Sequence, residues 1–534
     1  MSKEKIYIFD TTLRDGAQTE GVDFSIEDKN KIANVLSDIG IDYIEGGWPG
    51  ANPIDTKFFS KPPKTKKSIF TAFGMTKKSG RSADNDPGLA SLINAETSAV
   101  CVVGKTWDFH VKVALGIKNE ENLENIRETT KHFVNHKKEF LFDAEHFFDG
   151  YKANSNYALD CLRHAYDAGA RWVVLCDTNG GTLPNEVREI VEKVTKVIPG
   201  KNLGIHAHND TENAVANSLA AVESGARQIQ GTINGLGERC GNANLMSIIP
   251  TLCLKKPFSE KFEININKEK LSSLTDCSRL LDEILNRKPN KNMAYVGASA
   301  FSHKGGLHVS AVKKDPKTYE HIDPELIGNH RNIIVSNQAG RSNIISRLEK
   351  YGVKIDSKDP KVQKILDEVK DREFSGYSYD GADASFELLA NRLLGKLPEY
   401  LKVKSYNVNI SKSEKILTKA NVVFLIDGKE ISCDGEGNGP VNALDNAIRS
   451  NFKKVEKYYN FFADLKLLDY KVRILNTGTE ATTRVLIEST DKSGISWFTV
   501  GVSPNIIEAS FKALIDSLDY KLYKEKAPAN LNEK

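Results

Sequence analysis

The sequence predicts a (β/α)8 barrel, followed by a mostly helical region and a C-terminal α+β domain. In the first half, short apolar segments alternate with amphipathic helical segments eight times, which is typical of a parallel barrel. Helical periodicity dominates the middle, and strand-like segments recur in two similar βββα units near the C-terminus. A chain of 534 residues is too long for one core. We therefore expect a barrel over 1–256, helical linker or lid subdomains over 257–404, and a small-molecule-binding or dimerising module over 405–525.

The composition is ordinary for a globular protein, with 40% hydrophobic and 27% charged residues. A net charge of +3 indicates neither a nucleic-acid partner nor a membrane surface. The chain has no apolar run long enough for a membrane span, and its first residues lack the apolar core of a signal peptide. Seven scattered cysteines without a Cys-x-x-Cys pair are typical of reduced thiols. These features predict a cytoplasmic protein.

Eight apolar segments are the predicted strands of the barrel. They cover residues 6–9, 43–47, 69–73, 99–103, 139–145, 172–177, 203–206 and 228–232. The first helix is expected to begin at the capping-box-like sequence from Ser25 to Asp28 and to end at Gly40. Further helices are expected near 120–136 and 155–168, from Pro184, and near 212–224. A doubly wound open sheet is the alternative architecture.

Polar residues lie at or just after the ends of these strands. They are Asp10, Arg14, Asp15, Glu45, Asp143, Glu145, Asp177, Thr178, His206, His208 and Asn242. The carboxyl ends of all strands in such a barrel meet at one rim, where active sites lie. Buried polar groups need partners, so packing alone does not account for this set. We therefore predict a functional site at the rim.

Two histidines at this rim suggest a metal site. His206 and His208 are two residues apart on a strand, so their side chains point to the same face. Together with Asp15 they form a two-histidine, one-carboxylate set that leaves positions open for Asn242, water or substrate. Such ligands suit Zn²⁺, Mn²⁺ or Mg²⁺. A metal held in this way can bind a 2-oxoacid and polarise its carbonyl.

Other residues fit the same chemistry. Arg14, next to Asp15, is placed to stabilise a developing oxyanion. Either Glu145 or a histidine of the segment 301–308 could move a proton. That segment carries a Gly-Gly pair between His303 and His308, so it reads equally as a mobile loop over a site or as an ordinary turn. The set suits formation or cleavage of a carbon–carbon bond at a carbonyl.

The C-terminal units repeat the same order of elements. Strands are predicted at 422–426 and 485–487, and again at 430–433 and 496–500. Each unit is then expected to enter a helix at a proline, Pro440 in the first and Pro504 in the second. The glycine spacing of 435–440 does not fit a dinucleotide loop, and no Walker lysine follows it.

Three motifs carry a resemblance to a known family. They lie at 9–16 (FDTTLRDG), 204–210 (GIHAHND) and 235–242 (GLGERCGN). Together they resemble the metal-dependent acyl-CoA Claisen-condensing barrels, which include the 2-isopropylmalate, homocitrate and citramalate synthases and, more distantly, hydroxymethylglutaryl-CoA lyase. The resemblance spans nearly the whole chain. Residues 45–53 are most similar to the longer bacterial citramalate-forming branch.

The resemblance implies roles for individual residues. Asp15, His206 and His208 match the metal ligands, with Asn242 as a fourth contact, and Arg14 matches the oxyanion-stabilising arginine. Glu145 matches the catalytic glutamate, Thr178 a contact of the substrate carboxylate, and His308 the histidine that deprotonates the acetyl group, with His303 as its competitor. Cys101, Val103 and Asp143 are expected to help line the substrate pocket.

The implied reaction joins acetyl-CoA to pyruvate with water, giving (R)-citramalate and CoA in isoleucine biosynthesis. The C-terminal domain resembles a regulatory domain, which implies isoleucine as feedback inhibitor, with leucine as the alternative, and a homodimer. 2-Isopropylmalate synthase is the second interpretation and homocitrate synthase the third. A lyase of the hydroxymethylglutaryl-CoA type and an amino-acid sensor on an inactive barrel are further alternatives.

Overall fold

The computed structural model describes residues 3–531 except 64, 66, 286, 288, 334–340, 351–352, 354, 357–358, 380, 413–415, 452–455 and 476–480. The chain divides into two compact units. The first comprises Met1–Phe301 with Ile322–His330, and the second comprises Ser302–His321 with Arg331–Lys534. Among the helices of the described ranges, none is long and apolar enough to cross a membrane.

The first unit contains a closed barrel of eight parallel strands. They are β1 (Tyr7–Asp10), β2 (Tyr43–Glu45), β3 (Ile69–Met75), β4 (Ala99–Lys105), β5 (Glu139–Glu145), β6 (Trp172–Asp177), β7 (Leu203–Ala207) and β8 (Gln228–Gly231). Neighbours in sequence are neighbours in the barrel, and β1 also pairs with β8. The predicted barrel is therefore confirmed, and the open sheet is excluded.

Alternation along the strands separates two cores. Leu141, Val174 and Phe9 belong to a cluster of buried side chains that fills the inside of the barrel. Their sequence neighbours, such as Phe140 and Val173, belong to the larger cluster between the strands and the surrounding helices. Because successive side chains of a strand point to opposite faces, this parity also fixes which rim residues face inward.

Helices surround the strands. They are Ile26–Ile39, Pro53–Phe59, Pro87–Asn94, Asp108–His110, Asn119–Asn135, Phe147–Ala153, Ser155–Asp167, Pro184–Val194, Ala214–Glu223, Leu245–Leu254, Lys256–Ser259, Lys268–Leu271 and Leu274–Ile284. The predicted capping box is present, since the Ser25 side chain accepts from the Asp28 amide and the Asp28 carboxylate accepts from the Ser25 amide. Gly40 ends this helix with φ +110°, a conformation that favours glycine.

The second unit begins with helices and continues with two small sheets. Its helices are Gly306–Lys314, Arg341–Lys350, Pro360–Phe374, Asp383–Leu394, Pro440–Asn451, Glu456–Phe462 and Ile506–Lys524. Its sheet strands are Lys402–Lys412, Ile416–Ile426 and Lys429–Gly437 in one sheet, and Lys466–Ile474, Thr483–Thr490 and Trp497–Ser503 in the other. Both sheets are antiparallel and each is followed by a long helix, as the predicted βββα repeat requires.

The two repeats share one packing device. A Cβ atom on Gly435 would lie 2.2 Å from the Ala447 nitrogen, and one on Gly501 would lie 2.0 Å from the Ala509 oxygen. Glycine on the third strand therefore lets the following helix pack closely in both repeats.

The start of the last helix differs from the prediction. The helix Pro440–Asn451 begins at its proline as expected, but Pro504 lies two residues before Ile506, where the last helix begins. Asn505 is the N-cap there, because its side chain accepts from the amides of Ile507 and Glu508. The expected start at Pro504 was wrong because an asparagine follows it and caps the helix.

Candidate active site

A cavity of about 320 Å³ opens at the carboxyl ends of the barrel strands. Its lining includes Arg14, Asp15, Trp48, Val103, Lys105, Asp143, Glu145, Cys176, Thr178, His206 and His208. The alternation that turns Leu141 into the barrel also turns Asp143 and Glu145 inward, because they lie two and four residues further along the same strand, nearer the rim. The barrel interior is thus apolar at depth and polar at its mouth.

Three ligand-type atoms converge in this cavity. His206 Nε2 lies 3.2 Å from Asp15 Oδ2 and 3.3 Å from His208 Nε2. His208 Nε2 lies 3.9 Å from the same carboxylate oxygen. All three residues are buried, and their ligand atoms lie within 4.8 Å of one another. The predicted two-histidine, one-carboxylate set is therefore brought together around one point.

The donor set fits a divalent metal. Two imidazole nitrogens and a carboxylate oxygen are borderline-to-hard ligands, which suit Zn²⁺, Mn²⁺ or Mg²⁺. Asn242 adds a further candidate, because its Nδ2 donates to Asp15 Oδ2 at 3.0 Å. Its buried Oδ1 accepts no hydrogen bond from any residue that the structure describes. A buried acceptor without a donor beside three ligand atoms is what a cation would satisfy.

The surroundings hold two of these ligands, Asp15 and His208, in metal-binding charge states. Burial alone would raise the pKa of Asp15, but Arg14 and the two histidines keep it well below its usual range. Burial, together with the neighbouring His206, lowers the pKa of His208 to about 3. An ionised carboxylate and a neutral imidazole are the forms that bind metal.

The loop after β8 brings Asn242 to the cluster. Asn242 forms an antiparallel bridge with His208, and the Asn209 amide donates to the Gly241 carbonyl at 2.9 Å. Arg239 ties this loop to its neighbours by donating to both carboxylate oxygens of Asp210, at 2.8 and 2.9 Å, and to the Thr178 carbonyl at 2.7 Å. The ends of β6, β7 and β8 are thus joined around the site.

Arg14 is fixed by two partners. Its Nε donates to Glu45 Oε2 at 2.7 Å, and its guanidinium carbon lies 3.9 Å from the centre of the Phe73 ring. Its Nη1 lies 3.3 Å from Asp15 Oδ1. A cation held on one side by Glu45 and Phe73 presents its remaining N–H groups beside the ligand cluster.

Glu145 and Thr178 stand on neighbouring strand ends. Glu145 pairs with Lys105, a residue that the sequence did not single out although it ends β4 at the same rim. The Thr178 hydroxyl accepts from the His146 amide at 2.9 Å, which leaves its own proton free to donate. Both lie in the cavity lining.

The expected pocket residues differ in depth. Val103 and Asp143 line the cavity, whereas Cys101 belongs to the fully buried cluster inside the barrel. Burial, with the nearby Glu45 carboxylate, raises the pKa of Asp143 to about 6. Asp143 Oδ1 accepts a hydrogen bond from Gln230 Nε2 at 2.9 Å, so the carboxylate has a partner within the site. No motif pointed to Gln230.

The two competing histidines belong to the second unit and differ in environment. His303 is buried, and its Nε2 lies 3.0 Å from Glu320 Oε1, which Arg331 Nε also contacts at 2.6 Å. His308 is exposed, and its ring stacks on Tyr319 with centroids 4.1 Å apart. His303 is thus held inside a charge cluster, whereas His308 is exposed to solvent.

Three family models match the chain. The HMGL-like family covers residues 5–279, which include the whole barrel. The homocitrate synthase post-HMGL domain-like family covers residues 295–375, and the LeuA allosteric (dimerisation) domain covers residues 380–522.

Full-length relatives carry related names. The (R)-citramalate synthase of Aquifex aeolicus is 52% identical over 98% of each chain, and that of Geobacter sulfurreducens is 51% identical over the same shares. A probable 2-isopropylmalate synthase of Methanopyrus kandleri is 31% identical over 96% of this chain and 97% of that one.

Proposed function

The chain belongs to the (R)-citramalate synthase family of enzymes with an HMGL-like barrel, and from this premise we propose that it condenses acetyl-CoA with pyruvate and water to give (R)-citramalate and CoA. The observation that carries the proposal is the convergence of Asp15, His206 and His208 beside Arg14 at the mouth of the barrel. We place the reaction in isoleucine biosynthesis, in the cytoplasm.

Asp15, His206 and His208 would hold the metal, with Asn242 as a further contact. The metal is Mn²⁺, Mg²⁺ or Zn²⁺, and when bound it supplies Lewis-acid polarisation of the oxoacid carbonyl. Thr178 donates its hydroxyl proton to the pyruvate carboxylate, since its oxygen is already engaged by the His146 amide. Val103 and Asp143 bound the space for the oxoacid side chain.

The chemistry then needs one proton transfer and one anion-stabilising cation. His308, or a water held by Glu145, removes a methyl proton from acetyl-CoA. The enolate carbon attacks the pyruvate carbonyl carbon, and the carbonyl oxygen gains negative charge beside the Arg14 guanidinium before it is protonated. Water then hydrolyses the thioester and CoA leaves, which makes the condensation practically irreversible.

Release of CoA thiol from acetyl-CoA, with Mn²⁺ or Mg²⁺ present, tests the proposal across pyruvate, 2-oxobutyrate, 2-oxoisovalerate and 2-oxoglutarate. We expect kcat/KM for pyruvate to exceed that for 2-oxoisovalerate by at least about 30-fold, because two extra methyl groups cost about 1 kcal/mol each in a pocket built for one. Chelation should abolish release, and added metal should restore it.

The other outcomes of this assay are informative. Preference for 2-oxoisovalerate would replace the proposed activity with that of a 2-isopropylmalate synthase and leave the metal chemistry intact. Release that persists after full chelation would contradict the metal site. No release with any oxoacid would favour cleavage of a hydroxyacyl-CoA over condensation.

We further propose that the module at 405–525 binds isoleucine, with leucine as the alternative, and that the chain forms a homodimer. The match of residues 380–522 to the LeuA allosteric (dimerisation) domain supports both proposals. Isothermal titration of the full chain should detect isoleucine binding, and isoleucine should inhibit CoA release. Light scattering should give about twice the chain mass of 59.2 kDa. Titrations without heat for either amino acid would remove the effector proposal and leave the catalytic one.

A further inference from the structure

We propose that Gln230 is a positioning residue that fixes the tautomer and ring orientation of His206, so that His206 Nε2 faces the metal cluster. The inference rests on the proposed metal-dependent function. Gln230 is the third residue of β8, is fully buried, and is the register partner of His206 on the neighbouring strand β7. The Gln230 amide makes hydrogen bonds with His206 and Asp143, and with no other residue of the ligand cluster.

The contacts of Gln230 determine which way its amide points. One end lies 2.9 Å from Asp143 Oδ1 and the other lies 2.8 Å from His206 Nδ1. An ionised carboxylate can only accept hydrogen bonds, so Asp143 is the acceptor in its contact with Gln230. The Gln230 NH2 group must therefore face Asp143, which leaves the Gln230 carbonyl oxygen to accept from the imidazole.

This orientation places a hydrogen on His206 Nδ1. A neutral imidazole carries only one N–H, so His206 Nε2 then holds a lone pair. That lone pair lies 3.2 Å from Asp15 Oδ2 and 3.3 Å from His208 Nε2, at the point where the ligand atoms converge. Turning the ring over would point Nδ1 away and leave the buried Gln230 oxygen without a donor.

The chain from Asp143 through Gln230 to His206 has a specific electrostatic use. A carboxylate bonded directly to the imidazole would put a second negative charge beside Asp15. The neutral Gln230 amide instead accepts from the imidazole and donates to Asp143, so the Asp143 carboxylate does not contact the ring directly. Partners of this kind typically change metal affinity by about 10–100-fold when they are removed.

The chain provides a matched control in Gln228. It lies two residues earlier on the same strand, points to the same face, and is equally buried. Neither of its amide atoms has a hydrogen-bond partner among the described residues. Replacing Gln228 by Met therefore changes the same atoms at the same burial without touching His206.

Calorimetric titration of Mn²⁺ into the metal-free full chain tests the inference without relying on turnover. We expect Gln230→Met to weaken Mn²⁺ binding by about 10–100-fold and Gln228→Met to leave it unchanged. Equal Mn²⁺ affinity for Gln230→Met and the unsubstituted protein would overturn this inference and leave the proposed metal function in place. If the unsubstituted protein binds none of Mn²⁺, Mg²⁺ and Zn²⁺ in such titrations, the proposed metal function falls, and the role of Gln230 falls with it.

A second pair of variants keeps the test decisive if Gln230→Met does not fold. Gln230→Glu retains an acceptor for His206 Nδ1–H but sets a second carboxylate against Asp143. We expect Gln230→Glu to weaken Mn²⁺ binding. Adding Asp143→Asn restores a donor and the original net charge, so we expect the double variant to bind Mn²⁺ more tightly than Gln230→Glu alone. A double variant that binds Mn²⁺ no better than Gln230→Glu alone would contradict the proposed chain of hydrogen bonds.

Discussion

Replacing Arg14 with lysine is expected to lower kcat for CoA release by about 10²–10³-fold, the usual effect of losing one oxyanion donor. Arg14 binds Glu45 through Nε at 2.7 Å, while its Nη1 lies 3.3 Å from Asp15 Oδ1. The single ammonium of lysine cannot make both contacts, although it still compensates the buried Glu45 charge. The fold should therefore survive while the oxyanion contact is lost.

Arg171 is a matched control for this substitution. Its guanidinium carbon lies 3.9 Å from the Trp172 ring, as that of Arg14 lies 3.9 Å from Phe73. Arg171 directly precedes β6 and therefore lies at the end of the barrel opposite the cavity. Arg171→Lys should leave kcat unchanged. A kcat for Arg14→Lys equal to that of Arg171→Lys would remove Arg14 from the mechanism.

Metal affinity should be measured on the same variants. Arg14 Nη1 lies 3.3 Å from Asp15 Oδ1, so the substitution could also disturb a metal ligand. A fall in kcat with unchanged Mn²⁺ affinity would assign the loss to the oxyanion contact. A fall in both would assign Arg14 to holding Asp15.

The barrel and its rim could be predicted because their signals are local. Each strand is a short apolar run, and period-two alternation places His206 and His208 on one face without knowledge of the fold. Which strand end carries chemistry also follows from the direction of the chain. These features need only a few consecutive residues, so one sequence is enough.

The contacts that support the site were not predictable in the same way. Gln230 meets Asp143 across 87 positions of sequence, and Arg14 meets Glu45 across 31. Such pairs depend on the arrangement of the strands around the barrel and on their register, which no local pattern encodes. Glu45 was recognised as a rim residue but not as the anchor of Arg14, and Lys105 was missed.

The first strands of the C-terminal repeats show a different limit. Lys402–Lys412 and Lys466–Ile474 lie at sheet edges, and most of their residues are partly or fully exposed. Edge strands carry many charged and polar residues, which protect them from pairing with other chains. Their sequences therefore lack the apolar run by which the buried middle strands were recognised.

Replacing His308 with glutamine is expected to lower kcat by about 10²–10⁴-fold, the usual contribution of a general base. Because His308 is exposed and stacks on Tyr319, thermal stability should change little. His303→Gln should behave in the opposite way. It breaks the contact with the buried Glu320, so we expect a loss of about 1–3 kcal/mol in the free energy of unfolding.

Thermal unfolding should first give the melting temperature of each variant. Steady-state kinetics of both should then be measured below the melting temperature of the less stable variant. Loss of kcat in His308→Gln together with loss of stability in His303→Gln would assign proton transfer to the exposed histidine and a structural role to the buried one. The reverse pattern would exchange these roles. Full activity in both would favour the water held by Glu145 as the base, since Glu145 also lies in the cavity lining.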